Sequence, residues 1–303
     1  MEVAVTSNDR SVRSVTPQCV VCAGQSVEPA LSKFDLTMHG CAGCGALFTY
    51  PAPALTTASA RYNEGWFLNE YLPSYGINPS APSFDHLAQR YGAELESVRP
   101  FFSNGRLLDM GAGAGLFLFH ASRNGWEPYG VDVSEYGPRY ARERFGIEIF
   151  CGTLEQAHFP DRHFDAVMLQ DTIEHVSDPF CLLSEINRIL RPGGGLVIST
   201  PNVASLGRRI LSDRWALISP AEHLCLFSAR SLRAIARRTG FKVKTLSVAS
   251  NVNVSLVHED HTPRTHYRKA ILKRLAKYMP AKISSILHLG DELHCTFVKQ
   301  GDA

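Results

Sequence analysis

"LLDMGAGAG", residues 107–115, is an apolar run that stops at Asp109 and passes into three glycines at alternate positions, Gly111, Gly113 and Gly115. The pattern reads as a strand, a tight turn and the start of a helix over the apolar stretch Leu116–Ala121. Glycine lets the main chain adopt left-handed conformations and approach a ligand closely. The unit therefore has the outline of a nucleotide-binding β-turn-α element. A dinucleotide fingerprint requires G-x-G-x-x-G, and its sixth position here is Leu116, which counts against NAD. A phosphate-binding loop closes on Gly-Lys-Ser/Thr, and "GAGAGLF" has no lysine, which removes that reading. What survives is a glycine turn that approaches an adenosine ligand, with an acid at its entrance. A second acid, Asp132 in "YGVDVS", ends the next strand, where a carboxylate can accept both ribose hydroxyls.

Outward from this unit, strand-like and helix-like stretches alternate between residues 105 and 250. The strand-like ones are "RLLDM", "YGVDVS", "IEIFCG", "FDAVMLQ", "GGLVIST" and "KVKTLSV". That alternation predicts an α/β fold, a parallel sheet with helices on both faces. Upstream, "SFDHLAQRYGAELESVR" spaces Phe84, Leu87, Tyr91 and Leu95 as one face of a helix. The 303 residues are 45% hydrophobic, enough for one main domain and a small appendage. Lys and Arg total 31 against 29 Asp and Glu, a balance that requires neither nucleic acid nor an anionic membrane as partner. The opening "MEVAVTSNDRSVRSV" lacks the apolar core of a signal peptide. No later run approaches the roughly 20 apolar residues of a bilayer span, so a cytoplasmic setting is expected.

Cys19, Cys22, Cys41 and Cys44 form two C-x-x-C pairs with the spacing of a zinc ribbon. Four thiolates leave no coordination position for water, so the Zn2+ expected here is structural. The chain then divides into a disordered tail (1–17), the ribbon (18–50), a connector with a helical lead-in (51–100) and a main domain (101–303). The lead-in carries Tyr62, Trp66, Phe67 and Tyr71. Residues 251–290 read as an insertion before the final strand "ELHCTFVK". They hold a basic amphipathic helix with Arg268, Lys269, Lys273, Arg274 and Lys277.

In "LLDMGAGAGLFL", "GVDVS", "GTLEQAHFPDRHFDAVMLQDTIEHVSDP" and "LRPGGGLVISTPN", taken in order, the chain resembles the class I S-adenosylmethionine-dependent methyltransferases of the type 11/23 kind. With the cysteine ribbon in front, it resembles bacterial members that modify glycans or secondary metabolites. The resemblance implies a Rossmann-like seven-stranded sheet and S-adenosylmethionine as cofactor. It places Asp109 near the methionine amino group, the turn of Gly111, Ala112, Gly113 and Gly115 under the carboxylate and ribose, and Asp132 with Val133 at the ribose. Gly152–Glu155, including Leu154, encloses the adenine, and Gln170 completes the set.

Candidates for the acceptor side follow the fourth strand of the main domain. Asp171, Glu174 and His175 have i, i+3 and i+4 spacing, so one helical turn can present all three. The stretch resembles the E-x-x-E-H metal site of quinone O-methyltransferases, with Asp171 in place of the first Glu. The plainer account has Glu174 and His175 capping the next helix. His223, in "SPAEHLCLFSARSLRAIARRTGF", resembles a family histidine that faces the acceptor and is a candidate general base. Trp215 and Phe227 offer an apolar wall or core. The expected reaction is methyl transfer to a small-molecule or glycan acceptor, most simply at a hydroxyl, with nucleotide- or lipid-linked sugars as anionic examples. Two alternatives are an RNA-modifying enzyme gripping nucleic acid with its ribbon, and an inactive scaffold. The first lacks N-P-P-Y or D-P-P-Y after the fourth strand, where "QDTIEH" stands.

Overall fold

The computed structural model describes residues 17–54, 62–80, 83–99, 104–249 and 289–301. In the ribbon, β1 (Val27–Lys33), β2 (Leu36–Cys41) and β3 (Leu47–Thr49) form an antiparallel set. The helical lead-in runs from Glu64 to Ser74 and is followed by α1 (Ala88–Val98). The main domain then alternates β4 (Gly105–Met110), α2 (Leu116–Ser122), β5 (Trp126–Asp132), α3 (Tyr136–Phe145), β6 (Ile149–Cys151), β7 (Phe164–Gln170), α4 (Pro179–Ile189) and β8 (Leu190–Pro201). It continues with α5 (Leu206–Leu211), β9 (Cys225–Leu226), α6 (Ala229–Arg238), β10 (Phe241–Ala249) and β11 (Glu292–Lys299).

Seven strands form the main sheet in the order β10-β11-β8-β7-β4-β5-β6. Strand order reverses about β4, because the chain first builds outward through β5 and β6 and then returns to β7 on the other side. Ligands of open α/β sheets bind outside the carboxyl ends of strands at such a switch point, and the glycine turn sits there. β7 is buried along almost its whole length, from Phe164 to Leu169, as expected for a strand covered on both faces. β11 runs antiparallel to both β8 and β10, so the sheet is mixed where the alternation predicted a parallel one. The apolar alternation Leu293, Cys295, Phe297 fits either direction, because side-chain pattern encodes the buried face and not the strand's polarity.

The ribbon does not stand apart. β3 pairs with β9, giving a second sheet in the order β1-β2-β3-β9 that crosses the boundary expected at residue 50. Cys19, Val21, Val27 and Phe48 share one buried cluster with Ile186, Phe227, Ile235 and Phe297 of the main domain. Met38 and Leu47 pack with Leu211, Trp215, Ile218 and Leu226. Trp215 and Phe227 are fully buried and belong to this core, not to a pocket wall. The basic helix expected within 251–290 and the tail expected before residue 17 lie outside the described residues. Among the described residues, no helix is long and apolar enough to cross a membrane.

Candidate functional site

The cofactor side is a cradle at the carboxyl ends of β4, β5, β6 and β7. Gly111, Gly113 and Gly115 take φ values of 80°, 50° and 68°, left-handed conformations that side chains with a Cβ resist. At Gly113 a Cβ would also lie 2.2 Å from the Tyr71 hydroxyl. The amides of Gly111 and Ala112 donate to the Val131 carbonyl at 2.8 and 3.1 Å, which ties the turn to the adjacent strand. The Asp132 carboxylate accepts from the Gly113 amide and the Ser134 amide, both at 2.7 Å. Asp132 therefore anchors the turn, with lone pairs left over for ribose hydroxyls. Burial raises its pKa, opposed by these two amides.

Asp109 ends β4 nearly buried, and its carboxyl is pushed up to about 8, mainly by burial and further by the charges of Glu94 and Asp132. A buried carboxyl of this kind favours a cationic partner. Val133 follows Asp132 at half burial, the Gly152 amide closes on the Asp132 carbonyl at 2.8 Å, Leu154 is buried beside it, and Gln170 ends β7 half-buried. The sequence reading missed the lid. The hydroxyl of Tyr71 accepts from the Ala114 amide at 3.2 Å, and the Ser134 hydroxyl donates to the Tyr62 carbonyl at 3.3 Å. The aromatic spacing of the lead-in signals a packed helix, but nothing in it specifies that Tyr71 covers the glycine turn.

A second cluster of polar groups is assembled from three segments. Residues 173–175 form one tight turn, with Asp171 before it in a left-handed conformation, φ 45°, and exposed to solvent. The single helical turn expected to present Asp171, Glu174 and His175 together spans only residues 173–175, and Asp171 precedes it. Glu174 is 1% exposed and accepts from the Thr200 hydroxyl at 2.9 Å. Burial, then the Asp171 charge, pushes its carboxyl up to about 8. The capping role is taken by Asp178, whose carboxylate accepts from the Cys181 amide at 2.9 Å at the start of α4.

His175 and His223 lie with ring centroids 5.0 Å apart. Their Nδ1 atoms meet the backbone carbonyls of Glu222 and Leu217 at 2.9 and 2.8 Å. A carbonyl can only accept, so each Nδ1 carries a proton. Glu174, His175 and His223 offer ligand atoms within 4.8 Å of one another, a set able to hold a metal ion. The structure brings the two predicted histidines together. Thr200, which sequence reasoning did not single out, supports the acid beneath them.

The four ribbon cysteines also offer ligand atoms within 4.8 Å of one another. Cys19 Sγ and Cys44 Sγ are 3.7 Å apart, and Cys22 Sγ and Cys41 Sγ 3.6 Å apart. A disulfide requires about 2.05 Å, whereas a tetrahedron with Zn–S bonds of 2.3 Å has edges of about 3.8 Å. The Cys19 thiol is drawn down to about 5, chiefly by the neighbouring Cys44, whose own thiol is pushed up in turn.

Known proteins agree with this architecture. A family model described as a methyltransferase domain matches residues 84–246. The ubiquinone biosynthesis O-methyltransferase of Parvibaculum lavamentivorans is 32% identical over 152 residues, covering 48% of this chain and 60% of that relative. Among solved structures, an S-adenosylmethionine-dependent methyltransferase of Thermotoga maritima superposes with a TM-score of 0.51 at 22% identity, over 80% of this chain and all of that one. The [4+2]-cyclase SpnF does so with a TM-score of 0.50 at 21% identity, over 71% of this chain and 81% of its own. A strand order with one antiparallel strand, a glycine turn at the switch point and a family match across more than half of the sequence converge on one conclusion: the chain belongs to the class I S-adenosylmethionine-dependent methyltransferases.

Proposed function

We propose that this protein transfers the methyl group of S-adenosylmethionine to a hydroxyl of a small molecule. The carrying observation is the pair His175–His223, whose rings lie 5.0 Å apart with each Nδ1 directed at a backbone carbonyl. The sulfonium methyl is already activated, so positioning supplies most of the rate. An alcohol or phenol must still lose a proton, and an imidazole held in a fixed tautomer serves as its base. A shared fold does not fix a reaction, since a cyclase superposes on this chain as well as a methyltransferase does. The ubiquinone O-methyltransferase relatives support oxygen as the acceptor atom. A glycan or a nucleotide- or lipid-linked sugar is the acceptor class that the ribbon architecture favours.

His223 is assigned as the base and His175 as its neighbour. A second reading has its own support: with Glu174 within reach of both rings, a divalent ion there would lower the pKa of a bound acceptor hydroxyl. The ribbon cysteines are assigned to structural Zn2+, which supplies folding free energy to a segment with little core of its own. Reduced thiols of this kind fit a cytoplasmic setting.

Titration calorimetry with S-adenosylmethionine, S-adenosylhomocysteine and NAD tests the cofactor, with Asp132→Ala alongside. Micromolar binding of the first two and none of NAD is expected. The variant should lose on the order of 2–4 kcal/mol, from a charge-assisted hydrogen-bond pair and a loosened turn. Unchanged affinity in the variant overturns the placement of the ribose.

A further inference from the structure

Between the ribbon knuckle and helices α5 and α6 lies a groove of about 750 Å3. Its basic lining consists of Arg208, Arg209, Arg230 and Arg233, with no carboxylate among the lining residues; the ribbon cysteines Cys41 and Cys44 line it as well. Its remaining walls are small: Ala42, Gly45, Ala204 and Ser228 leave main chain close to the cavity. Among the described residues, none of these four guanidinium groups makes an ion pair. Arg208 is half-buried and its Nε is enclosed with no hydrogen-bond partner. Burial lowers its pKa, while the charge of Asp213 raises it.

The placement works against stability. Arg230 stands in the first turn of α6, where the helix macrodipole disfavours a cation. Four like charges around one cavity repel one another, and an enclosed donor without a partner costs free energy. An anion in the groove would relieve all three penalties. The planar fork of arginine matches phosphate oxygens in pairs.

The groove also adjoins the acceptor side. Val203, in its wall, is three residues beyond Thr200, the residue that supports Glu174, and three residues span at most about 11 Å. Ser228, also in its lining, is joined to His223 through β9, and its neighbour Phe227 accepts from the Val203 amide at 2.8 Å.

We propose that this groove binds the pyrophosphate of an activated acceptor, leaving the acceptor's hydroxyl-bearing part to reach His223. The inference deepens the function proposed above and rests on its placement of the acceptor side. A nucleoside diphosphate and a lipid-linked pyrophosphate share the required chemistry. RNA is disfavoured, because four arginines clustered around one groove suit a compact anion better than an extended backbone.

The test uses the full chain at physiological salt. It is titrated with inorganic pyrophosphate, UDP-glucose, vesicles carrying a polyprenyl pyrophosphate, phosphatidylglycerol vesicles and a short RNA hairpin. The variant is the triple substitution Arg209→Gln, Arg230→Gln, Arg233→Gln at exposed positions, with Arg208→Gln examined separately. Pyrophosphate and one of its two conjugates should bind, with affinity falling about tenfold for each arginine removed, while affinity for S-adenosylmethionine stays unchanged. UDP-glucose against polyprenyl pyrophosphate vesicles then decides between a soluble and a lipid-linked source. No binding of pyrophosphate by the unaltered chain, equal binding by the triple variant, or preference for RNA or phosphatidylglycerol overturns the proposal. Pyrophosphate binding without any binding of S-adenosylmethionine would sustain the groove and sink the methyl-transfer reading. The converse result would do the opposite.

Discussion

The glycine turn and the histidine pair are held in opposite ways. The turn takes its shape from one continuous run, residues 107–115, with Asp132 of the neighbouring strand pinning the Gly113 amide. The pair draws on residues 173–175, on Thr200 in β8 and on the loop before β9. That loop is clamped by the ribbon: Thr49 Oγ1 donates to the Pro220 carbonyl and Lys33 Nζ to the Ile218 carbonyl, each at 2.9 Å, and the Thr49 amide reaches the Leu224 carbonyl at 2.8 Å. The cofactor half is thus locally encoded, while the acceptor half depends on a segment almost two hundred positions away. On this account the ribbon is the splint of the acceptor loop.

Removing the ribbon's metal should break the comparison most sharply. Chelation, or Cys22→Ser, withdraws folding free energy that in isolated zinc-finger peptides is on the order of 10 kcal/mol. Methyl transfer should vanish while binding of S-adenosylmethionine persists, and Trp215, fully buried against Met38 and Leu47, should shift its fluorescence to the red. Loss of cofactor binding in parallel with activity would show that the two halves are not separable.

His223→Gln should have the next largest effect, lowering kcat by about 10²–10⁴ with cofactor affinity unchanged. A single-turnover rate close to that of the unaltered protein would remove His223 as the base. The same variant distinguishes the metal reading. If divalent ions restore the rate in the unaltered protein after chelation of the cluster but not in His223→Gln, the ring is a ligand.

The smallest effect concerns Asp109. Its folded-state pKa, about 8, lies well above the ordinary carboxylate range. Its contribution to apo stability is therefore full below the unfolded value and is lost as pH rises toward 8. The cationic amino group placed beside it prefers the ionised form, so affinity for S-adenosylmethionine should rise between pH 6 and 8, by at most about tenfold per unit, and then level off. Asp109→Asn should flatten that slope. A slope surviving the substitution would assign the proton to another group.

Legibility followed the distance over which information must travel. The strand ending at Asp109, the helix from Leu116, the final strand Glu292–Lys299 and the two C-x-x-C knuckles all stand where apolar period, glycine and cysteine spacing put them. Turn chemistry and side-chain period are properties of a few adjacent residues. At Asp171 that legibility stops, because an i, i+3 relation to Glu174 presumes a helix and the backbone there turns through the left-handed region instead.

By itself the sequence determined the glycine turn, the thiol cluster and the alternation of strands with helices, because each follows from local conformational preference and from chain continuity. Only the tertiary structure decided that β11 runs antiparallel, that Tyr71 covers the glycine turn, that β3 recruits β9, and that Glu174, His175 and His223 converge. These depend on which distant surfaces bury one another, and packing free energy is summed over the whole core without being written in any one segment.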